Sequence, residues 1–343
     1  MTKAEQLLHQ KKQKKNISIQ SIALGVGILL LLIKFAAYFL THSNAILTDA
    51  LESIINVVAG SVALMSLIFA ALPKDRNHPY GHGKIEFLSA GFEGTLILIA
   101  GFSIIGKSIY NLYYPNELYA LDMGIALTAL AGFINYLLGI MMVRQGKKSH
   151  SMTLVAGGEH LKSDAYSTIG LVLGLGLIFL THWFWIDNVI AVLFGTLIAT
   201  TGGQIIRKAI AGIMDETDDF LLEEILEHIN ENRQDDWIDI HNLRVIKYGS
   251  ALHIDCHLTL PWYWNLQKSH DEVHAFEEML KMGTEKELEI FIHSDPCLPK
   301  SCQLCLKKDC KMRQFDFQQK IEWTLDNVLL NKKHEVSQNN NKQ

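Results

Sequence analysis

Glu52-Ser53-Ile54-Ile55-Asn56 stands inside an apolar run over 45–72, and His160-Leu161-Lys162-Ser163-Asp164 stands inside a second over 154–180. About 20 apolar residues cross a bilayer as a helix, so both runs are long enough to span. Inside such a helix a charged side chain costs roughly 2.5–3.5 kcal/mol on insertion scales, and several kept together need a compensating partner. Residues four apart lie about 40° from each other around a helix, which puts Glu52 and Asn56 on one face and His160 and Asp164 on another. A bound cation is the natural compensator. If the two faces meet, they offer one imidazole nitrogen and three oxygens in tetrahedral reach, a set that suits zinc and tolerates manganese or iron. Asp49 falls on the same stripe and reads as an outer support of the ligands or as a helix-packing residue. The blander alternative is that all these groups only tie helices together through hydrogen bonds.

Four more runs of spanning length, 17–40, 85–112, 121–143 and 186–206, bring the number to six. Hydrophobic residues make up 49% of the chain, charged residues 20%, and mean hydropathy is +0.13, which separates it from ordinary soluble enzymes. The first run continues to full spanning length without an Ala-x-Ala-like exit, so it reads as a span and not as a cleaved signal. Lys11, Lys12, Lys14 and Lys15 precede it; Lys74, Arg76 and Lys84 lie in the second connection, and Arg144, Lys147 and Lys148 in the fourth. The other connections, near His42, over 115–122 and over 182–187, hold no Lys or Arg. This asymmetry predicts a multi-pass protein, of the cytoplasmic (inner) membrane, with both termini in the cytoplasm. Tyr113, Tyr114, Trp183 and Trp185 then sit at the outer ends, where amphipathic rings settle. The net charge of -5 singles out no partner, and nothing points to nucleic acid.

Beyond the sixth run the period changes. An amphipathic stripe of Phe220, Leu221, Ile225, Leu226 and Ile229 predicts a helix over 220–232, and alternation predicts strands over 238–247 and 251–260 around Gly249-Ser250. A helix over 265–282 and a strand over 287–293 complete the order αββαβ, a small α+β, ferredoxin-like domain. The domain plan is a basic cytoplasmic N-terminal segment (1–16), a six-helix transmembrane domain (17–207), a cytoplasmic metal-binding and dimerisation domain (208–296), a cysteine-rich segment (297–313), and a C-terminal helix with a polar tail (314–343).

Two further donor sets are visible. Asp75, His78 and His82 fall together in the connection after the second run, where they are either a metal site or solvated loop side chains. His241, His257, His270, His293 and Asp295 fall at strand or helix ends of the soluble domain. Lys34, Glu93 and Asn135 lie inside spans and read as snorkelling or helix-packing groups, and His42 and His182 as outer loop histidines.

These motifs resemble the cation diffusion facilitators, a family of dimeric divalent-metal/proton antiporters. The resemblance is carried by HSNAILTDALESIINVVAG in the second span, HPYGHGKIE after it, HLKSDAYSTIG in the fifth, IMDET after the sixth and IHSDP near His293. It implies a transport site at Glu52, Asn56, His160 and Asp164, a loop site at Asp75, His78 and His82, and a cytoplasmic interface site at His241, His257, His270, His293 and Asp295. It also implies an interlock of Lys84 with Asp215 near the hinge between the two domains. The second span departs from the family, with Glu52 in place of the usual Asp or His and Asn56 in place of the usual Asp. The neutral amide removes one negative charge and one proton acceptor. The implied function is efflux of a divalent cation, zinc first and manganese or ferrous iron as alternatives, in exchange for protons, by a homodimer; a transport-inactive metal sensor would keep the same sites. Gly170, Gly174 and Gly176 would allow the fifth helix to slide. No His-Glu-x-x-His of a metalloprotease is present, and no enzyme is expected.

Past the family core comes Cys297-x4-Cys302-x2-Cys305-x4-Cys310, close to Lys307, Lys308, Lys311 and Arg313. Reduced thiols, an iron-sulfur cluster and a tetrahedral structural zinc are the open readings. Cys256, inside a strand, reads as core.

Overall fold

The computed structural model describes residues 3–41, 44–113, 123–181, 185–249, 251–283 and 287–336. For some residues inside those ranges, Asp49, Glu52, Gly174 and Gly176 among them, only the helical backbone is described. The expectations placed on His42, Tyr114, the 115–122 connection, His182, Trp183, Ser250 and the end of the tail lie outside the described residues. The chain divides into two units, Met1–Met214 and Asp215–Gln343.

Six helices build the first unit: α1 (Lys3–Thr41), α2 (Asn44–Ala70), α3 (Ile85–Tyr113), α4 (Met123–Ser149), α5 (Met152–Thr181) and α6 (Trp185–Ile213). The spans Lys11–Ala36, Ser53–Ala70, Ile85–Tyr113 and Asn188–Ile213 are long and apolar enough to cross a membrane by length and composition. Large apolar side chains such as Leu32, Met65, Phe102 and Leu193 are more than half exposed, or nearly two thirds, as lipid-facing residues of a spanning bundle are. Helix α1 begins at Lys3, so the basic segment is helical and continuous with the first span; lysine and glutamine are good helix formers and nothing in 3–16 interrupts them. Likewise α6 runs on to Ile213 and not only to residue 206.

Glycines set the closest helix contacts. A Cβ on Gly101 of α3 would lie 2.6 Å from the Ala199 nitrogen of α6, and one on Gly202 would lie 2.6 Å from the Leu98 nitrogen. Both distances are to backbone, which cannot rotate away. The α4–α5 pair is joined in the same manner, with the Gly158 position 2.8 Å from the Gly139 carbonyl oxygen. In lipid, where apolar burial gives no drive for helix association, such close approach supplies the packing. Of the glycines expected to matter in α5, Gly170 faces the ring of Phe194, at 3.0 Å.

The second unit is a three-stranded sheet with helices. Its order is α7 (Asp219–Glu231), β1 (Asp239–Tyr248), β2 (Ala251–Leu260), α8 (Leu266–Met282) and β3 (Glu287–Pro296), the expected αββαβ. Asp218 caps α7 by accepting from the Leu221 N–H, and Asn265 caps α8 by accepting from the Lys268 N–H. β1 pairs antiparallel with β2, and β3 pairs parallel with the other side of β2 after the α8 crossover. Leu252, Ile254, Cys256, Leu258 and Leu260 of β2 enter one core with Leu222, Ile225 and Ile229 of α7 and Phe276 and Leu280 of α8. Alternation therefore turns the odd-numbered β2 residues to the opposite face. Burial pushes the Cys256 thiol up to about 12, which keeps it neutral and unreactive at physiological pH.

After β3 the chain makes a short 3-10 turn (Pro299–Gln303), a long irregular stretch, and α9 (Leu325–Val328). The C-terminal helix is thus only four residues long. Replacing Gly202 by alanine forces a backbone collision and is expected to lower the melting temperature of the detergent-purified protein, as overpacking by about 1–3 kcal/mol does. Gly203→Ala, where a Cβ meets nothing within 4 Å, leaves it unchanged. Equal melting temperatures for the two variants would refute the close-contact reading.

Candidate metal centres

The face of α2 carrying Asn56 meets the face of α5 carrying His160 and Asp164. The Asn56 amide donates from Nδ2 to Asp164 Oδ2 at 2.6 Å, and its Oδ1 lies 2.9 Å from His160 Nε2. A carboxylate only accepts, so Asp164 fixes the amide's orientation; Asn56 Oδ1 then requires a proton on His160 Nε2. The neutral ring is left with a lone pair at Nδ1, which is buried and has no hydrogen-bond partner. Three of the four expected transport residues thus form one hydrogen-bonded row. Glu52 lies in α2 one turn before Asn56, and its side chain, like that of Asp49, lies outside the described residues.

A cavity of about 50 Å³ opens beside this row, lined among others by Lys34, Ser53, Asn56, Glu93, Asn135 and His160. Lys34 Nζ donates to Ser53 Oγ at 2.8 Å. Glu93 is 2% exposed and within electrostatic reach of His160 and Asp164. From the sequence, Glu93 and Asn135 read as helix-packing groups and Lys34 as snorkelling or pairing with a carboxylate of the bundle. Their polarity inside apolar runs was the available signal, but only the packing of α1, α3 and α4 brings them to one cavity.

The second set sits between α2 and α3. Asp75 Oδ1 accepts from the His78 and Asn77 backbone N–H groups at 2.7 and 2.8 Å, and its two oxygens lie 3.1 Å from His78 Nδ1 and 3.3 Å from His82 Nε2. The His78 backbone N–H, foremost, holds the Asp75 carboxyl below its ordinary value, so it stays ionised. Gly81 turns the loop at a φ of 93°, open to glycine at no cost.

The third set lies on the sheet face away from α7 and α8. His241 pairs in register with His257, and His257 with His293, so three histidines form a row across β1, β2 and β3. Asp295 follows two residues along β3, on the same face. Its Oδ2 lies 3.1 Å from His241 Nε2 and 3.3 Å from His257 Nδ1, and its Oδ1 lies 3.5 Å from His293 Nε2. A β-bulge between His241 and Arg244, with Asn242 at a φ of 52°, lets Ile240 and Leu243 both face the core while His241 keeps to the outer face. Burial lowers the His241 pKa below its usual value, favouring the neutral ring that ligates metal. Lys333 Nζ stands 3.8 Å from Asp295, and His334 Nδ1 is 2.5 Å from Asp239 Oδ1, so the C-terminal segment crosses this face.

Among the described residues, Asp75/His78/His82 and His241/His257/Asp295 each bring three donor atoms within 4.8 Å of one another. His293 adjoins the latter group, its ring centroid 4.8 Å from that of His257. His270 does not: it is an exposed residue of α8, which packs on the other face of the sheet. Lys84 precedes α3 in the first unit, and Asp215, at a φ of 56°, opens the second.

Polar donors walled between membrane helices, with more on the soluble domain, define a membrane protein that handles metal cations. The family model of the cation efflux transmembrane domain matches residues 21–214, and that of the cation efflux protein, cytoplasmic domain, matches 217–297. An uncharacterized transporter of Synechocystis is 32% identical over 75% of this chain and 83% of its own length. The manganese efflux system protein MneS of Bacillus subtilis is 26% identical over 78% and 91%, and the cation-efflux pump FieF of Shewanella oneidensis 24% over 80% and 92%. The chain belongs to the cation diffusion facilitator family. It is a metal cation efflux transporter and not an enzyme.

Asp295→Asn is expected to abolish metal binding at the sheet face, measured by calorimetry on the full chain with Asp75 and Asp164 also replaced by asparagine. His270→Ala in the same background leaves that binding within twofold. The placement of His270 is wrong if its loss weakens binding as much as the loss of Asp295.

Proposed function

We propose that the chain exports a divalent cation, zinc in first place, from the cytoplasm in exchange for protons, at a site formed by Glu52, Asn56, His160 and Asp164. The observation that carries this reading is the single amide of Asn56 spanning His160 and Asp164 between α2 and α5. A cation entering there displaces the proton on His160 Nε2, which faces Asn56, and takes that nitrogen with the Asp164 and Asn56 oxygens, Glu52 being the fourth donor. Asp164 and Glu52 bind it only as carboxylates and His160 only as the neutral ring, so metal entry displaces protons and protonation from outside expels metal. Asn56 cannot accept a proton in this pH range. Glu93, on the same cavity, supplies the acid that the asparagine lacks.

Asp49 supports the ligand set from the same stripe. Asp75, His78 and His82 form a loop site, and His241, His257, His293 and Asp295 a cytoplasmic site that senses metal and clamps a homodimer. The alternative assignment of His270 to that site would need a second copy of the chain to supply it. Lys84 and Asp215 act as the hinge interlock, and both termini face the cytoplasm at an inner membrane. Manganese is the second reading for the cargo, favoured by the oxygen-rich donor set and by the naming of one relative as a manganese efflux protein. Ferrous iron follows on the same ground.

Proteoliposomes carrying a pH-sensitive dye test this directly. Zinc-dependent proton movement is expected for the wild type and is abolished, more than tenfold down, in Asp164→Asn and His160→Ala. Glu93→Gln is expected to lower the protons moved per metal while leaving metal binding measurable. Absence of metal-dependent proton flux with zinc, manganese, iron and cadmium alike would leave a metal sensor instead.

A further inference from the structure

The segment 297–313 is untouched by the transport reading and lies almost wholly outside the family match, which ends at residue 297. It has one 3-10 turn and then no regular structure until α9. Loops of more than about 12–15 residues without structure of their own are uncommon in compact domains unless something holds them. Here Leu304 is 3% exposed and Cys305 6%, so the segment is folded inward.

Its four cysteines line a single cavity of about 30 Å³, together with Tyr263, Lys307 and Arg313. Cys297 is within electrostatic reach of Cys302 and Cys310, and Cys305 of Cys310 and Cys297. All four are free thiols. The surrounding groups are arranged as donors to sulfur. The Tyr263 hydroxyl donates to Cys310 Sγ at 3.6 Å, and the Gln314 backbone N–H to Cys302 Sγ at 3.4 Å. Hydrogen bonds of this kind orient metal-bound thiolates and offset their charge.

The backbone is gathered around the same point. The Arg313 guanidinium donates to the Cys302, Cys305 and Lys307 carbonyl oxygens at 2.6, 3.0 and 2.8 Å. The Cys297 N–H donates to the Leu260 carbonyl at 2.8 Å, tying the first thiol to the end of β2. The thiols are not yet at ligand spacing, since the two close donor groups lie elsewhere. Closing the loop around an ion brings them together.

We propose that Cys297, Cys302, Cys305 and Cys310 hold one structural zinc ion, which pins the C-terminal segment to the end of the sheet. Four thiolates with a two-residue Cys302–Cys305 spacing make a closed tetrahedral set with no open position, the form of structural zinc. In ferredoxin runs the fourth cysteine serves a different cluster, which argues against a multi-iron cluster held by these four alone. The cytoplasmic side disfavours disulfides. This site stands or falls independently of transport.

The test uses the full chain purified in detergent and dialysed against EDTA at neutral pH. One zinc per chain is expected to remain, and cobalt(II) exchanged into the wild type gives thiolate charge-transfer absorption and tetrahedral d–d bands. Asp164→Asn and Asp295→Asn keep both signals; Cys302→Ser with Cys305→Ser loses both. No EDTA-resistant metal and no cobalt–thiolate spectrum in the wild type would overturn the proposal. So would iron with acid-labile sulfide, or native disulfides among the four found by mass spectrometry.

Discussion

Everything in the membrane unit follows from the cost of keeping polar groups out of water. A carboxylate, an imidazole and an amide on two spanning helices are tolerable only if they satisfy one another or share a cation, and Asn56 does the former for His160 and Asp164. That hydrogen-bonded row favours one rotation of α2 against α5, because turning either helix by one residue would take the Asn56 amide away from the half-buried Asp164 carboxylate. The remaining helices are then placed by shape, through glycine contacts between α3 and α6 and between α4 and α5. Polarity sets the register, and small residues set the distance.

The same division recurs in the soluble unit. Its core is an ordinary apolar layer between the sheet and α7 and α8, and it leaves the other sheet face free to carry donors. A row of histidines across three strands is cheap to build this way, since registered partners on a sheet are already neighbours. The bulge at Asn242 is the one irregularity the arrangement needs, and it reconciles a core phase with a ligand phase on a single strand.

Much of this was legible in the sequence, for identifiable reasons. Alternating apolar residues on either side of Gly249 give β1 and β2 within a residue of their ends, and the four-residue spacing of Glu52/Asn56 and His160/Asp164 gives the helix faces that meet. The approach of Glu93 and Lys34 to the same cavity is not legible, because one polar residue in an apolar run reveals that it must be satisfied but not by which helix. His270 shows the converse case within one chain. Its residue type and its place in α8 suggest a ligand, yet the crossover that makes β3 parallel to β2 carries α8 to the face opposite Asp295. The start of α1 at Lys3 is not legible from the charge run, since lysines end a span without ending a helix.

The C-terminal segment extends the argument from placement to control. Lys333 donates to the Pro296 carbonyl at 2.6 Å and stands 3.8 Å from Asp295, and His334 holds Asp239, on the very face that carries the histidine row. A cation at His241, His257 and Asp295 would compete with the Lys333 ammonium for the same carboxylate, since two positive charges on one anion repel.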